Sequence, residues 1–364
     1  MPPCANPSTN IGTPRRTRLR YAVVALALAL LAGAGGARAQ MTIGIHPRVP
    51  FPAHIPRPIR IDIGFYLIDF ARIVAREETY DLQGYIVASW TDPQLALKPG
   101  EARSEERRFA TDALWTPNYE FTNAVEQVKI QNEAALIVDD AGRITQRFRF
   151  TGKFSWPLDL RRFPFDKQVL TVVLEPFERE SKDVVFNVKP ELVGSLSSAF
   201  VTDWTIRGVK ANATDSGGEA FGRKNSRLVA EIHIERQATF YLWRVLMPLT
   251  LLLCTSWVVY RFDPTNLQPL ISTTIAILLN VILFNFSIDF ALPKVPYLTF
   301  IDSYAVTCFF FMIANMFIVT QIHVRCVRDG ADAARAVQAK ALRALPPTFV
   351  ALIALEAAYF LTRG

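Results

Sequence analysis

Cysteine is scarce in this sequence and is missing from a long part of it. Of the four cysteines, Cys4 lies near the N-terminus, and Cys254, Cys308 and Cys326 lie in or beside apolar segments. None falls between residues 41 and 253. A domain built from that stretch has no internal disulfide and must be stable through packing alone.

Histidine and catalytic motifs are scarce as well. The four histidines, His46, His54, His233 and His323, are scattered without the spacing of metal ligands. The sequence contains no Gly-x-Ser-x-Gly nucleophile motif, no phosphate-binding loop and no dinucleotide fingerprint. We therefore expect no enzyme, no metal site and no cofactor.

The positive charge of the chain is concentrated in its leader. The formal net charge is +7, but residues 1–40 contain five arginines and no acid, so the remainder carries only +2. A near-neutral chain gives no electrostatic argument for a nucleic-acid partner. The chain is 51% hydrophobic with a mean hydropathy of +0.19, which is slightly too apolar for a purely soluble protein.

Residues 1–39 have the pattern of a secretory signal peptide. Basic residues precede the apolar run 21–31, and Ala37-Arg38-Ala39 forms a small-residue cleavage site. The alternative is a first membrane anchor, but the run is shorter than the roughly 20 residues that a span needs. The residues after the cleavage site are therefore predicted to be exported.

Residues 40–238 have the pattern of an all-β domain. Short β-rich runs alternate with turn signals, and Asp139-Asp140-Ala141-Gly142 is typical of a hairpin turn. The runs are 61–68, 82–90, 135–138, 144–150, 168–174, 184–188 and 228–234. Many short strands over about 200 residues predict an immunoglobulin-like β-sandwich.

Residues 239–364 have the pattern of a four-helix transmembrane bundle. The apolar segments are 240–260, 270–291, 299–319 and 347–361. The fourth is short and carries Glu356. The basic excess of residues 323–343 predicts a cytoplasmic connection between the third and fourth spans.

A motif between two predicted strands indicates the family. Residues 156–166 read WPLDLRRFPFD and resemble the signature loop of the Cys-loop receptors, the pentameric ligand-gated ion channels. Trp156 and Leu170 stand where animal members have the two loop cysteines, as in bacterial members. Further motifs match in the family's order: WTD at 90–92, LWTP at 114–117, YLW at 241–243, and LPKVPY at 292–297. EPF at 175–177 and the YLW motif are most similar to amine-gated bacterial members.

The second apolar segment carries a stripe at helical spacing. The stripe consists of Ser272, Ala276, Leu279, Leu283 and Phe286. Periodicity alone is equally compatible with an ordinary packed membrane helix. In five copies around an axis, as the resemblance implies, the stripe would line a pore with a hydroxyl narrowing at Ser272 and hydrophobic constrictions further out.

The pore ends give a weaker indication of ion selectivity. Gln268-Pro269-Leu270 matches neither the Glu typical of cation-selective members nor the Pro-Ala insertion of anion-selective ones. Asp289 near the outer mouth and Asp263 near the inner end add negative charge, which favours cations. Both carboxylates could instead be interfacial charges with local partners.

The resemblance implies an agonist site between neighbouring subunits. It places Tyr85 on the complementary face and Phe177 at the principal aromatic position, with Glu120, Thr122 and Glu175 nearby. Phe221 is the aromatic residue of the predicted capping loop, residues 211–225. Rings and carboxylates suit an ammonium ligand. The alternatives are core packing for the two rings and solvated strand positions for the acids.

The resemblance also implies a set of coupling residues. Asp166 and Arg236 match an ion pair at the domain interface; the alternative is two unpaired surface charges. Phe163 and Pro164 would project toward the loop that contains Pro293 and Pro296 and carry displacement from the ligand site to the pore.

The sequence thus predicts a homopentameric channel in the bacterial inner membrane. Its expected partners are a small amine agonist, permeant ions and membrane lipid, and we expect cation selectivity. One alternative is a proton-gated channel of the same family, since partly buried acids titrate within reach of neutral pH. The other is a membrane-anchored periplasmic sensor without a pore.

Overall fold

The structure is a computed structural model. It describes residues 49–98, 100, 107–131, 135–197, 199, 203–216, 224–289 and 295–363. The predicted signal peptide lies outside the described residues.

Within the described residues, twelve strands form two packed sheets. In chain order they are β1 Ile59–Val74, β2 Thr79–Thr91, β3 Arg107–Phe109, β4 Tyr119–Phe121, β5 Lys129–Gln131, β6 Leu136–Val138, β7 Arg143–Ser155, β8 Lys167–Pro176, β9 Val184–Val188, β10 Gly194–Ser195, β11 Trp204–Asp215 and β12 Ser226–Arg236. An eight-stranded sheet has the order β10-β1-β2-β7-β6-β3, with β5 on β7 and β9 on β1. The second sheet has the order β11-β12-β8-β4.

The sandwich core follows from period-two alternation. Along β12 every second side chain is buried, and the same alternation runs through most of β7. Aromatic residues fill much of the space between the sheets, and the rings of Phe121 and Phe150 have centroids 4.6 Å apart. The predicted sandwich is confirmed, including the hairpin turn that joins β6 to β7. Gly142 adopts φ +79° there, and a Cβ would lie 2.4 Å from the Asp92 carbonyl oxygen.

One sequence prediction in the sandwich was wrong. The sequence predicts residues 211–225 to be the polar capping loop, but residues 211–215 belong to β11, where Ala211 to Asp215 pair with Ala230 to Ser226 of β12. This segment contains only small and polar side chains and no large apolar or aromatic residue. Its partner strand supplies the ladder that makes it extended.

In the part of the chain after the sandwich that the structure describes, there are four long helices. They are α1 Thr239–Arg261, α2 Leu267–Asp289, α3 Phe300–Asp329 and α4 Ala331–Arg363. All four contain a segment that is long and apolar enough to cross a membrane. A π-helical turn, Leu242–Leu246, interrupts α1 near its start, and a capping box between Thr299 and Asp302 begins α3.

The connection between the last two helices is itself helical. The sequence predicts a cytoplasmic connection at residues 323–343 and a fourth apolar segment at 347–361. In the structure α3 continues to Asp329, Gly330 is the single residue between the helices, and α4 begins at Ala331 and passes through both Pro346 and Pro347. Alanine and arginine are the commonest residues of the segment 323–343, and both favour helix.

Candidate functional site

The predicted agonist residues fall into two groups, one on each sheet. Glu120 and Thr122 lie at β4, and Glu175 and Phe177 lie at the end of β8, which pairs with β4. Backbone hydrogen bonds fix this edge, because Phe177 N–H donates to the Asn118 carbonyl oxygen at 2.8 Å. Tyr85 lies on β2, in the other sheet. A single chain therefore presents these residues as two separate groups, which we call the candidate half-sites.

Both aromatic rings of the two half-sites are available to a ligand. Phe177 is 57% exposed and Tyr85 is 39% exposed, so neither ring belongs to the core of the sandwich. Large exposed rings that are not needed for folding are typical of binding surfaces.

The two carboxylates have different surroundings. Glu120 is exposed, and Glu175, directly opposite it in the register, is buried. Arg227 Nε donates to Glu175 Oε1 at 2.6 Å, and Asn225 Nδ2 lies 3.4 Å from Oε2. The charge of Glu175 is thus balanced within the subunit. Of these two carboxylates, Glu120 is the one that a cationic ligand can reach.

Arg227 is a site residue that the sequence reasoning missed. Its contact with Glu175 joins two neighbouring strands, since Leu228 of β12 pairs with Leu174 of β8. Recognising both strands and aligning them antiparallel would have brought the two side chains together. Phe221 lies outside the described residues. On either side of the undescribed residues 217–223, the Ser216 backbone N–H donates to the Asn225 carbonyl oxygen at 2.8 Å.

The pore stripe lies on the exposed face of α2. All five predicted residues, Ser272, Ala276, Leu279, Leu283 and Phe286, are exposed in the single chain. The opposite face packs inside the bundle through Leu270, Thr274, Ile277 and Val281. An apolar row that the subunit leaves uncovered is more consistent with a central axis than with packing inside one bundle.

The two acids near the pore ends are only partly described. Asp263 lies in the short link between α1 and α2, where it accepts a hydrogen bond from the Thr265 backbone N–H at 3.0 Å. That hydrogen bond holds the pKa of Asp263 below its usual range, so the group stays negative at neutral pH. Asp289 is the last residue of α2, and its side chain lies outside the described part of the structure.

Asp166 and Arg236 form a buried, bidentate ion pair. Arg236 Nε donates to Asp166 Oδ1 at 2.7 Å, and Nη2 donates to Oδ2 at 3.1 Å. The side chain of Arg236 is only 4% exposed and that of Asp166 only 2%. The Arg236 guanidinium also lies 4.0 Å over the Trp204 ring and 4.8 Å over the Phe163 ring. The alternative of two unpaired surface charges is therefore excluded.

The signature loop packs into the top of the helix bundle. Phe163 is fully buried, and its ring lies 4.6 Å from that of Tyr241 in α1. It belongs to an apolar cluster that also contains Phe300 and Tyr304 of α3. Pro164, the next residue, is buried as well. The loop is thus anchored directly to the first and third helices.

Tyr297 is a contact that the sequence reasoning did not single out. Its hydroxyl accepts from the Leu160 backbone N–H at 2.9 Å and lies 3.4 Å from the Leu158 carbonyl oxygen. Pro296 precedes it on the segment between α2 and α3, and Pro293 lies outside the described residues. The predicted approach of the signature loop to this segment is therefore made by a tyrosine.

Among the residues that the structure describes, no three His, Cys, Asp or Glu side chains are grouped so that they could hold an ion. The described features are two half-sites on the sandwich, a helix with an uncovered stripe, and a buried junction between the two domains.

Comparisons with known proteins agree with this geometry. Residues 46–238 match the family model of the neurotransmitter-gated ion-channel ligand binding domain. The chain is 27% identical over 302 residues to a proton-gated ion channel of Gloeobacter violaceus, covering 83% of each protein. It is 24% identical over 276 residues to a gamma-aminobutyric acid receptor subunit beta-like protein of Drosophila melanogaster, covering 71% of this chain and 55% of that protein. The chain therefore belongs to the pentameric ligand-gated ion channels, which are multi-pass membrane proteins with an extracellular ligand-binding domain and are not enzymes.

Proposed function

We propose that the protein is a homopentameric, cation-selective channel of a bacterial inner membrane that opens when a small amine binds between subunits. The observation that carries the pore is the exposed stripe of α2, which five copies would turn toward one axis. In this proposal residues 1–39 are a cleaved signal peptide, 40–238 form the periplasmic ligand domain and 239–364 form the pore domain.

The two half-sites support an amine as the agonist. Neighbouring subunits would bring Tyr85 of one copy toward Glu120, Thr122 and Phe177 of the next. A cation over an aromatic ring gains about 0.5–2 kcal/mol, and a contact with an accessible carboxylate adds to it. Glu175 would contribute indirectly, because its ion pair with Arg227 fixes the end of β8 next to Phe177. The Drosophila relative is named for gamma-aminobutyric acid, which carries an ammonium group.

The negative charge of Asp263 supports cation selectivity. It stays ionised at neutral pH and lies at the end of α2 that carries the small, polar part of the stripe. Five such carboxylates near the inner mouth would raise the local concentration of cations. Asp289 would add charge at the outer mouth.

Proton gating is the second candidate function. It is favoured by the relative of Gloeobacter violaceus, which is named as a proton-gated channel. Acids near the candidate ligand site and the domain junction would then replace the amine as the trigger. A sensor without a pore has no comparable support, because the family consists of channels.

Current recording from the purified protein in liposomes tests the proposal. We expect amines to evoke cation currents at constant pH and expect the Glu120→Gln variant to need at least tenfold more amine. Glu126→Gln is the matched control, because Glu126 is an exposed acid of the same domain outside both half-sites.

Two results would contradict the proposal in different ways. Currents that respond to pH steps but to no amine would show that the agonist is the proton and not an amine. A protein that purifies as a folded monomer and carries no current under either stimulus would refute the pore.

A further inference from the structure

A cavity of about 810 Å³ opens where the signature loop meets the bundle. Arg161 and Arg162 of the loop line one side, and Leu355, Glu356 and Phe360 of α4 line the other. None of these residues has a part in the agonist site, the pore or the buried ion pair described above. The cavity combines a cationic rim with an apolar wall and a single carboxylate.

Glu356 is the only acid in the apolar half of α4, residues 347–363. The hydroxyl of Thr307 on α3 donates to its Oε1. Its Oε2 is buried and has no hydrogen-bond partner among the described residues. A carboxylate oxygen left in this state costs free energy, and a charged donor placed in the cavity would offset that cost.

The cationic rim has an unsatisfied donor of its own. Arg162 Nε is buried and has no hydrogen-bond partner within the described part of the chain. The guanidinium of Arg161 lies 5.2 Å over the Tyr297 ring and is largely exposed, and its Nη1 lies 3.5 Å from Asp159 Oδ2 in an exposed, weak ion pair. Two guanidinium groups at one rim are well suited to a phosphate.

The cavity lies about two helical turns from the ends of α3 and α4 that are nearer the sandwich. Glu356 and Thr307 each lie seven residues from the helix end nearer the sandwich, Arg363 and Phe300. Seven residues of helix span about 10 Å. A molecule that enters from the outer leaflet could therefore leave its headgroup at the arginines and its chains along Leu355.

We propose that this cavity binds the headgroup of phosphatidylethanolamine. Its phosphate would contact Arg161 and Arg162, and its primary ammonium would donate to Glu356. The opposite charges at the rim and on α4 select a zwitterionic lipid. A glycerol headgroup offers no cation to the carboxylate, and a choline headgroup has no N–H to donate.

The lipid would contact both sides of the domain junction. Arg161 and Arg162 follow Leu160, whose backbone the Tyr297 hydroxyl contacts, and Glu356 is hydrogen-bonded to α3. Headgroup binding would thereby connect α4 to the loop that carries Phe163.

Native mass spectrometry of the delipidated, full-length protein in detergent tests the site. The ligands are short-chain phosphatidylethanolamine, its mono- and dimethylated forms, phosphatidylcholine and phosphatidylglycerol with the same acyl chains. We expect phosphatidylethanolamine to bind about tenfold more tightly than phosphatidylcholine, because a charge-assisted hydrogen bond is lost. Affinity should fall stepwise as N–H groups are replaced by methyl groups.

Variants separate the two contacts. Glu356→Gln should remove the preference for phosphatidylethanolamine, and Arg162→Gln should weaken all the phospholipids. Asp332→Asn, at the opposite end of α4, should change neither. The proposal is overturned if the wild-type protein binds phosphatidylethanolamine and phosphatidylcholine equally, if phosphatidylglycerol binds most tightly, or if Glu356→Gln keeps the preference. Binding is measured without current, so these outcomes are independent of whether the agonist is an amine.

Discussion

Asp166→Asn is the most informative single perturbation of the domain junction. Oδ2 of Asp166 accepts hydrogen bonds from Arg236 Nη2 at 3.1 Å and from Gln168 Nε2 at 2.9 Å, while Oδ1 accepts from Arg236 Nε. In either orientation the amide group of asparagine would point its N–H donors at another donor. The charge of the buried guanidinium would also lose its partner.

The expected cost is large on the scale of protein stability. Removing one partner of a buried ion pair destabilises by about 3–5 kcal/mol. Domains are commonly stable by only about 5–15 kcal/mol. Guanidinium-induced unfolding of the purified protein in detergent measures the loss. Tryptophan fluorescence is a suitable signal, because the Arg236 side chain lies against the Trp204 ring.

A second, exposed ion pair provides the control for the Asp166→Asn experiment. Arg207 and Glu235 join the neighbouring strands β11 and β12 at 2.7 Å, but their side chains are 61% and 31% exposed. Removing that pair with Arg207→Gln should cost about 1 kcal/mol or less. If Asp166→Asn costs no more than Arg207→Gln, burial does not strengthen the junction and the reasoning is wrong.

Further predictions concern the pore and the ligand edge. Leu279→Ala should lower the agonist concentration needed for opening, because it weakens a hydrophobic constriction. Val281→Ala on the buried face of α2 should instead destabilise the bundle by about 1–3 kcal/mol. Current recordings and thermal unfolding distinguish the two variants, and equal effects of both would contradict the pore assignment. Arg227→Gln should raise the amine concentration needed, because it leaves the buried Glu175 without its partner, and an unchanged dose–response curve would argue against that role. Asp263→Asn should reduce the preference for cations in reversal-potential measurements, and an unchanged reversal potential would remove this residue from the selectivity argument.

The parts of the fold that sequence predicts best are those with one strong periodicity. The Glu231-Ile232-His233-Ile234 alternation identifies β12 because one face of that strand packs on the core. The spacing from Ser272 to Phe286 identifies the uncovered face of α2 for the corresponding reason in a helix. In both cases the environment of each side chain depends only on its position along the element.

The parts that sequence misses depend on contacts between distant segments. The end of β11 has no large apolar residue, and it is a strand because residues 211–215 pair with β12 as far as Asp215 and Ser226. The partner of Glu175 follows from the register of β8 against β12, which no local pattern encodes. The charge of residues 323–343 predicts only the side of the membrane on which they lie, whereas their helix-forming composition lets α3 and α4 extend through them.

The single-residue connection between α3 and α4 has a consequence for protein engineering. Gly330 adopts φ +92°, and a Cβ at this position would meet no atom within 4 Å among the described residues. The chain turns here in open space, at the end of the bundle away from the sandwich, as at other sites that tolerate domain insertion. A fluorescent protein spliced in at Gly330 should leave ligand recognition intact and report the membrane orientation of the channel in living cells.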